Sequence, residues 1–249
     1  MASVAIYSPK GGVGKSTCAV NLAYLSATTS KRRTLLWDID AQGAAGFLLQ
    51  AAQGRDTANK IFSKDADPAD LAQPTPYPQL SVLAADASLR RLDVQLVEED
   101  ARKRVRKLVR GLERRFERII LDCPPGVTEI SEQIFRAVDV VVIPAQPSAL
   151  GLRGLEAAQA HVRAQRRSAP DILPVLSMAD MRRKLHRETA AQHPDWGVIP
   201  YASAVERMSA ERAPLNAFAP RHPAARAYAD LWSEVERRLL AAESAPGRD

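Results

Sequence analysis

Aromatic residues make up only 5% of this 249-residue chain. An aromatic-rich interior is excluded, and the core has to be built from Leu, Val, Ile and Ala. Cysteine is limited to Cys18 and Cys123, with no C-x-x-C pair and no Cys/His cluster, which excludes a disulfide framework and a structural zinc site. No apolar run approaches the ~18 residues that a membrane-spanning helix needs. The N-terminus has no basic stretch followed by an apolar core and a cleavage site, so a cytoplasmic protein is expected. Internal repeats and long linkers are also missing. The expectation is one domain over residues 1–243 and a flexible tail over 244–249.

What is present suits a globular protein: 46% hydrophobic and 26% charged residues, and length for one α/β domain with a substantial core. Lys and Arg total 35 against 29 Asp and Glu, a net charge of +6. That balance is compatible with nucleic acid, with anionic lipid, or with nucleotide alone. The excess is mostly arginine, which suits phosphate contacts, although a GC-rich coding sequence produces the same bias.

Short apolar runs at 3–7, 34–37, 80–84, 118–121, 138–143, 172–177 and 197–199 read as buried strands. Helical spacing falls between them, at 15–25, 43–50, 101–115, 129–137, 150–166, 181–192, 204–212 and 224–242. Residues 51–78, rich in Pro and Asp, read as an irregular or partly helical excursion. Apolar strands alternating with helices imply an α/β fold: a mostly parallel twisted sheet with helices on both faces.

The sharpest signal is Pro9-Lys10-Gly11-Gly12-Val13-Gly14-Lys15-Ser16-Thr17. It joins the first strand to the first helix, which is the context a phosphate-binding loop requires. Glycines let backbone N–H groups wrap a phosphate, and the following helix offers its positive end. Lys15 is expected at the β- and γ-phosphates and the Ser16 hydroxyl on Mg²⁺. The strict G-x-x-x-x-G-K-[ST] pattern would place glycine at position 9, where this chain has Pro9.

Two acidic stations accompany the loop. Asp38-Ile39-Asp40-Ala41-Gln42-Gly43 closes the second strand, and alternation puts Asp38 and Asp40 on one side of the chain. Alone, such a pair is usually solvated; beside a P-loop it can serve Mg²⁺ and an attacking water. Ile119-Ile120-Leu121-Asp122-Cys123-Pro124-Pro125-Gly126 is an apolar strand ending in Asp, the form of a Walker B element that meets Mg²⁺. Its prolines preset the loop, and the Gly126 N–H is expected near the γ-phosphate. Cys123 has no His beside it and reads as packing, as does Cys18.

The run from Lys10 to Thr17 resembles the deviant Walker A motif of the ParA/MinD family of P-loop ATPases. The stretch from Asp38 to Gly43 is similar to that family's D-x-D-P-Q-G switch, with Ala41 in place of proline, and Asp122-Cys123-Pro124-Pro125-Gly126 to its second switch. Softer likenesses continue through Val141–Pro147, Val198–Pro200 and Phe218–Ala225, so the resemblance covers nearly the whole chain. It implies ATP and Mg²⁺ as cofactors, cradled by Lys10, Gly11, Gly12, Val13, Gly14, Lys15, Ser16 and Thr17. Lys10 would reach across an ATP-bound homodimer to the partner's nucleotide. Asp40 would position or activate the water, and Asp38 and Asp122 would support the Mg²⁺ shell with Ser16. Adenine contacts fall at 178–182 and 199–201, hence Met178, Pro200 and Tyr201. No N-K-x-D guanine motif is present, which favours ATP over GTP.

A phosphate cradle leaves open what the switch acts on. The first reading is a short ParA-like ATPase that dimerises on ATP, binds DNA without sequence preference and is stimulated by a ParB-like or cargo-adaptor protein, hence nucleoid-associated. Arg207, Arg212, Arg221 and Arg226 are its candidate DNA contacts, although Tyr201 stands where that family has an Arg after Ile-Pro. Residues 102–115 add eight Lys or Arg against one acid, Glu113, as either a binding surface or a solvated face. The second is a MinD-like membrane ATPase using residues 231–240, with Trp232 as anchor; the acidic tail beyond favours core packing instead. A third, a cluster-bridged electron donor, fails because Cys18 and Cys123 both lie in nucleotide motifs. A nucleotide-binding module without turnover is disfavoured by Lys15, Asp40 and Asp122 together.

Overall fold

Continuous apolar runs become strands here because helices cover both faces of the sheet. The computed structural model describes residues 2–52, 54–63, 65–91, 103–165 and 169–244. Its strands are β1 (Ala2–Ile6), β2 (Thr34–Asp38), β3 (Gln73–Pro74), β4 (Leu80–Leu83), β5 (Arg118–Asp122), β6 (Val140–Ala145), β7 (Asp171–Ala179) and β8 (Gly197–Pro200). They form one sheet in the order β3-β4-β2-β5-β1-β6-β7-β8. All neighbours are parallel except β3 with β4. The chain works outwards from β1 in both directions, so the crevice where ligands settle lies at the C-terminal end of β1.

Alternation divides the core. Val4, Ile6, Leu36, Ile120 and Val142 pack on one side with α1 (Lys15–Thr28) and α12 (Pro223–Ser244). Ala5, Leu35, Ile119, Leu121 and Val141 face the other side, under α5 (Arg104–Leu112), α6 (Glu129–Phe135) and α7 (Ala149–Ala164). The remaining helices are α2 (Ala44–Leu48), α3 (Thr57–Ser63), α4 (Pro68–Leu71), α8 (Lys184–Gln192), α9 (Ser203–Glu206), α10 (Met208–Glu211) and α11 (Leu215–Phe218).

Several elements differ from the sequence reading. The excursion at 51–78 contains α3, α4 and the antiparallel edge strand β3, which is only 2 residues long and tolerates Pro74 because an edge needs no ladder donor there. The helix expected at 204–212 splits into α9 and α10, and Arg212 ends α10 in the left-handed region at φ 46°. The helix expected from 181 starts at Lys184, because the Asp180 carboxylate accepts from the Arg182 N–H and holds a turn there. Residues 101, 102 and 166, expected to be helical, lie outside the described residues, as do 245–249 of the expected tail.

Two contacts tie α12 to the domain, as the core-packing reading of this helix expects. Trp232 is 2% exposed and its Nε1 donates to Ser30 Oγ at 2.8 Å, so it anchors the helix to the domain and offers nothing to lipid. Glu243 accepts from Arg118 at 2.8 Å, while Glu236 accepts from the same guanidinium at 2.8 Å. No helix among the described residues is long and apolar enough to cross a membrane.

Candidate functional site

The loop from Pro9 to Gly14 leaves β1 and turns into α1. Gly12 and Gly14 sit at φ 71° and 87°, a left-handed backbone that strains any residue with a Cβ. No heavy atom lies within 4 Å of where a Cβ at Gly11 or Gly12 would stand, so the loop encloses open space above its amides. Gly14 caps α1 without any side-chain acceptor. The first amides of a 14-residue helix therefore face that space with no side-chain partner, which is the arrangement that receives phosphate. Lys15 is buried and its Nζ lies 3.4 Å from the Lys10 carbonyl, whereas the Lys10 side chain is exposed. Ser16 and Thr17 are half-buried beside it.

Below the loop, Asp38 and Asp122 are register partners at the C-terminal ends of β2 and β5. Asp38 accepts from the Gly46 N–H at 3.0 Å and the Asp40 N–H at 3.2 Å. Burial raises its pKa to about 7; these two amides pull against the rise and the Asp40 carboxylate adds to it. Asp122 is more extreme. Both of its oxygens are buried without a hydrogen-bond partner among the described residues, and its pKa is held well above the usual range by burial first and the Asp38 carboxylate second. The Ser16 hydroxyl and the Lys15 ammonium oppose that rise, but Ser16 stands close without completing a bond.

Two desolvated carboxylates on neighbouring strand ends, with a hydroxyl beside them, are hard oxygen donors of the kind a divalent cation takes. Among the described residues no group of three His, Cys, Asp or Glu side chains could hold a metal. That suits Mg²⁺, which keeps waters and shares phosphate oxygens rather than entering an all-protein cage. Asp40 is half-buried and its carboxylate caps its own loop by accepting from the Gln42 N–H at 3.0 Å.

The loop after β5 corrects one expectation. The Gly126 N–H, expected near a terminal phosphate, donates to the Pro9 carbonyl at 3.1 Å. The Tyr7 hydroxyl donates to the Gly126 carbonyl, also at 3.1 Å. The second acidic station is thereby tied to the phosphate loop itself. Cys123 is fully buried, and burial with the nearby Asp122 raises its thiol well above its ordinary value; it packs and is no nucleophile.

On the far side of Gly14, a pocket is lined by Gly14, Thr17, Met178, Pro200 and Tyr201 together with Ser177. The three residues assigned to the base are thus brought beside the phosphate loop. Met178 has φ 57°, and its sulfur accepts from Gln146 Nε2 at 3.5 Å. Ser177 and Gln146 were missed by sequence reasoning; Ser177 lies near the C-terminal end of β7 and Gln146 directly follows β6, and that shared edge was the signal available.

The four candidate arginines divide. Arg207 pairs with Glu211 at 2.6 Å and lies 5.5 Å over the Phe218 ring. Arg212 donates to the Phe47 carbonyl at 3.1 Å and covers its ring at 4.7 Å. Arg221 and Arg226 are exposed on or beside the start of α12 and have no partner among the described residues.

A glycine-turned amide cradle at the start of a helix, an inward lysine and a strand-end Asp facing the helix's first hydroxyl define a P-loop nucleotide-binding protein. The AAA domain family profile matches residues 1–173. The sporulation initiation inhibitor protein Soj of Bacillus subtilis is 31% identical over 246 residues, covering 93% of this chain and 97% of that one. The chromosome partitioning protein ParA of Myxococcus xanthus is 38% identical over 155 residues, 61% of this chain and 54% of that one. Among solved structures, the McdA–ATP complex from Cyanothece superposes with a TM-score of 0.81 at 19% identity over 95% of this chain and 96% of that one, a likeness of fold. The chain belongs to the ParA/MinD family of P-loop ATPases.

Proposed function

We propose that this chain is an ATP-operated switch of the partitioning type, in which Mg-ATP joins two copies and the pair holds DNA until hydrolysis releases it. The observation that carries this reading is the unpartnered Asp122 carboxylate facing Asp38 beneath an open amide cradle. Mg²⁺ supplies positive charge between the terminal phosphates and these carboxylates when bound. Lys15 and the loop amides bind the β- and γ-phosphates, Ser16 joins the metal shell, and Asp40 orients the attacking water. Lys10, exposed on the rim, is free to cross to the partner's phosphates. Met178, Pro200 and Tyr201 flank the base.

The similarity to Soj and ParA supports a DNA-linked role over a membrane role, as does the burial of Trp232. Arg221 and Arg226 are the DNA contacts this reading retains; Arg207 and Arg212 serve inside the chain. A ParB-like or cargo-adaptor protein stimulates an otherwise slow hydrolysis, and the ATP-bound pair resides on the nucleoid.

Phosphate release and light scattering test this together. Asp40→Ala is expected to form a long-lived ATP dimer that releases little phosphate, and Lys10→Ala to bind ATP yet stay monomeric. Equal phosphate release by wild type and Asp40→Ala, or unchanged dimerisation by Lys10→Ala, refutes the assigned roles. DNA retention by wild type is expected only with ATP and at low salt.

A further inference from the structure

Helix α5 buries Val105, Val109 and Leu112 against the sheet. Its outward face carries Arg106, Lys107 and Arg110, with Lys103 directly before the helix and Arg114 in the turn after it, all exposed. None of the five has a side-chain hydrogen bond or ion pair among the described residues. Lys103, Lys107, Arg110 and Arg114 follow i, i+4, i+7, i+11 through the helix and the residues flanking it, and Lys107 and Arg110 are neighbours on one face.

Several exposed arginines elsewhere do close on acids: Arg115 on Asp70 at 2.7 Å, Arg182 on Asp180 at 2.9 Å, Arg237 on Glu234 at 2.7 Å; what sets this helix apart is the clustering of its bases. Within α5 the i, i+4 pair Arg106 and Arg110 carries like charge, which weakens a helix. The first turn has no acid and begins with Arg104 against the positive end of the helix dipole. Among the described residues no acid closes on these bases, and a partner for them is sought outside the chain.

We propose that the outward face of α5 is a contact surface for the phosphate backbone of duplex DNA, separate from Arg221 and Arg226. The proposal rests on the reading that the protein holds DNA. A repeating polyanion matches a cluster of bases, since duplex DNA presents about one charge per ~1.7 Å of its axis. A lipid surface fits less well, because the apolar residues of α5 face the core and leave none on the outer side to enter the acyl boundary. The surface lies on the side of the sheet opposite α12, so it adds contacts rather than extending the first set. One copy presents few charges; two copies joined by ATP present twice as many on one body, which ties retention to the nucleotide state.

The test is fluorescence anisotropy of a random-sequence DNA duplex with the full chain and Mg-ATP across a salt series. The quadruple variant Lys103→Gln, Lys107→Gln, Arg110→Gln, Arg114→Gln is expected to lower the slope of log affinity against log salt by about 0.9 per lost phosphate contact. At fixed low salt its affinity should fall by tenfold or more, while ATP-dependent dimerisation and phosphate release stay at wild-type levels. Arg110→Lys with Arg114→Lys should preserve the slope, which separates charge from packing. The double variant Arg221→Gln, Arg226→Gln should reduce the slope independently, and the two losses should add. If wild type binds DNA and the quadruple variant keeps its slope, the α5 proposal is overturned and the partitioning reading stands. If wild type itself fails to bind DNA at low salt, that reading falls and takes this one with it. Loss of binding to phosphatidylserine vesicles with DNA binding intact assigns the face to a membrane and overturns the proposal.

Discussion

The two ends of β5 bury opposite charges in opposite ways. At its start, Arg118 is 1% exposed, and Glu236 and Glu243 of α12 close on its guanidinium at 2.8 Å each. At its finish, Asp122 is 0% exposed and neither oxygen has a partner among the described residues. Burying a charge is costly unless it is paired. One end has been completed within the chain and works as a structural staple. The other has been left incomplete, and the missing partner has to come from solution. Binding chemistry in this molecule is located where satisfaction stops.

The contrast can be broken most severely at the structural end. Arg118→Met leaves Glu236 and Glu243 gathered around an apolar side chain, and is expected to lower unfolding free energy by roughly 3–5 kcal/mol, read from urea denaturation. A loss under about 1 kcal/mol would show the network to be dispensable. At the binding end the change has the other sign. The folded-state pKa of Asp38 is raised from 3.8 to about 7, so the folded chain keeps a proton that the unfolded chain has released. Its contribution to stability therefore falls as pH rises through that window. Asp38→Asn is expected to gain on wild type across the same window, by about 1–3 kcal/mol at its upper end, in magnesium-free buffer. A pH-independent difference between the two proteins would contradict the assignment. The smallest effect is expected at Tyr7, whose hydroxyl stays a donor because burial, with Cys123 beside it, pushes its pKa up to about 12. Tyr7→Phe removes the bond to the Gly126 carbonyl, costs about 1 kcal/mol and should speed amide exchange around Gly126.

Much of this was legible in the chain alone, for identifiable reasons. β1, β2, β5 and β6 are continuous apolar runs because both faces of a parallel sheet are covered, and the loop from Lys10 to Thr17 is read from glycine spacing and its place after β1. β3 was not legible: two residues with a proline carry no periodicity. The partners of Arg118 lie more than a hundred residues away on α12, and an arginine at the head of an apolar run says nothing about which acids will meet it. The same holds for Arg207 and Arg212, which read as free surface bases until Glu211 and the rings of Phe218 and Phe47 are seen beside them. The Gly126 amide was expected near the terminal phosphate, and its bond to Pro9 depends on loop geometry that composition does not encode.

One contact chain links the metal end to the basic end. Asp38 grips the Gly46 N–H, and a Cβ at Gly46 would stand 3.2 Å from the Ala84 Cβ, so that grip has no slack. The next residue, Phe47, lies under Arg212, where the chain turns from α10 toward α11 and α12. Asp38 and the turn that leads into the C-terminal helices are thus joined by one short run of contacts through Gly46, Phe47 and Arg212.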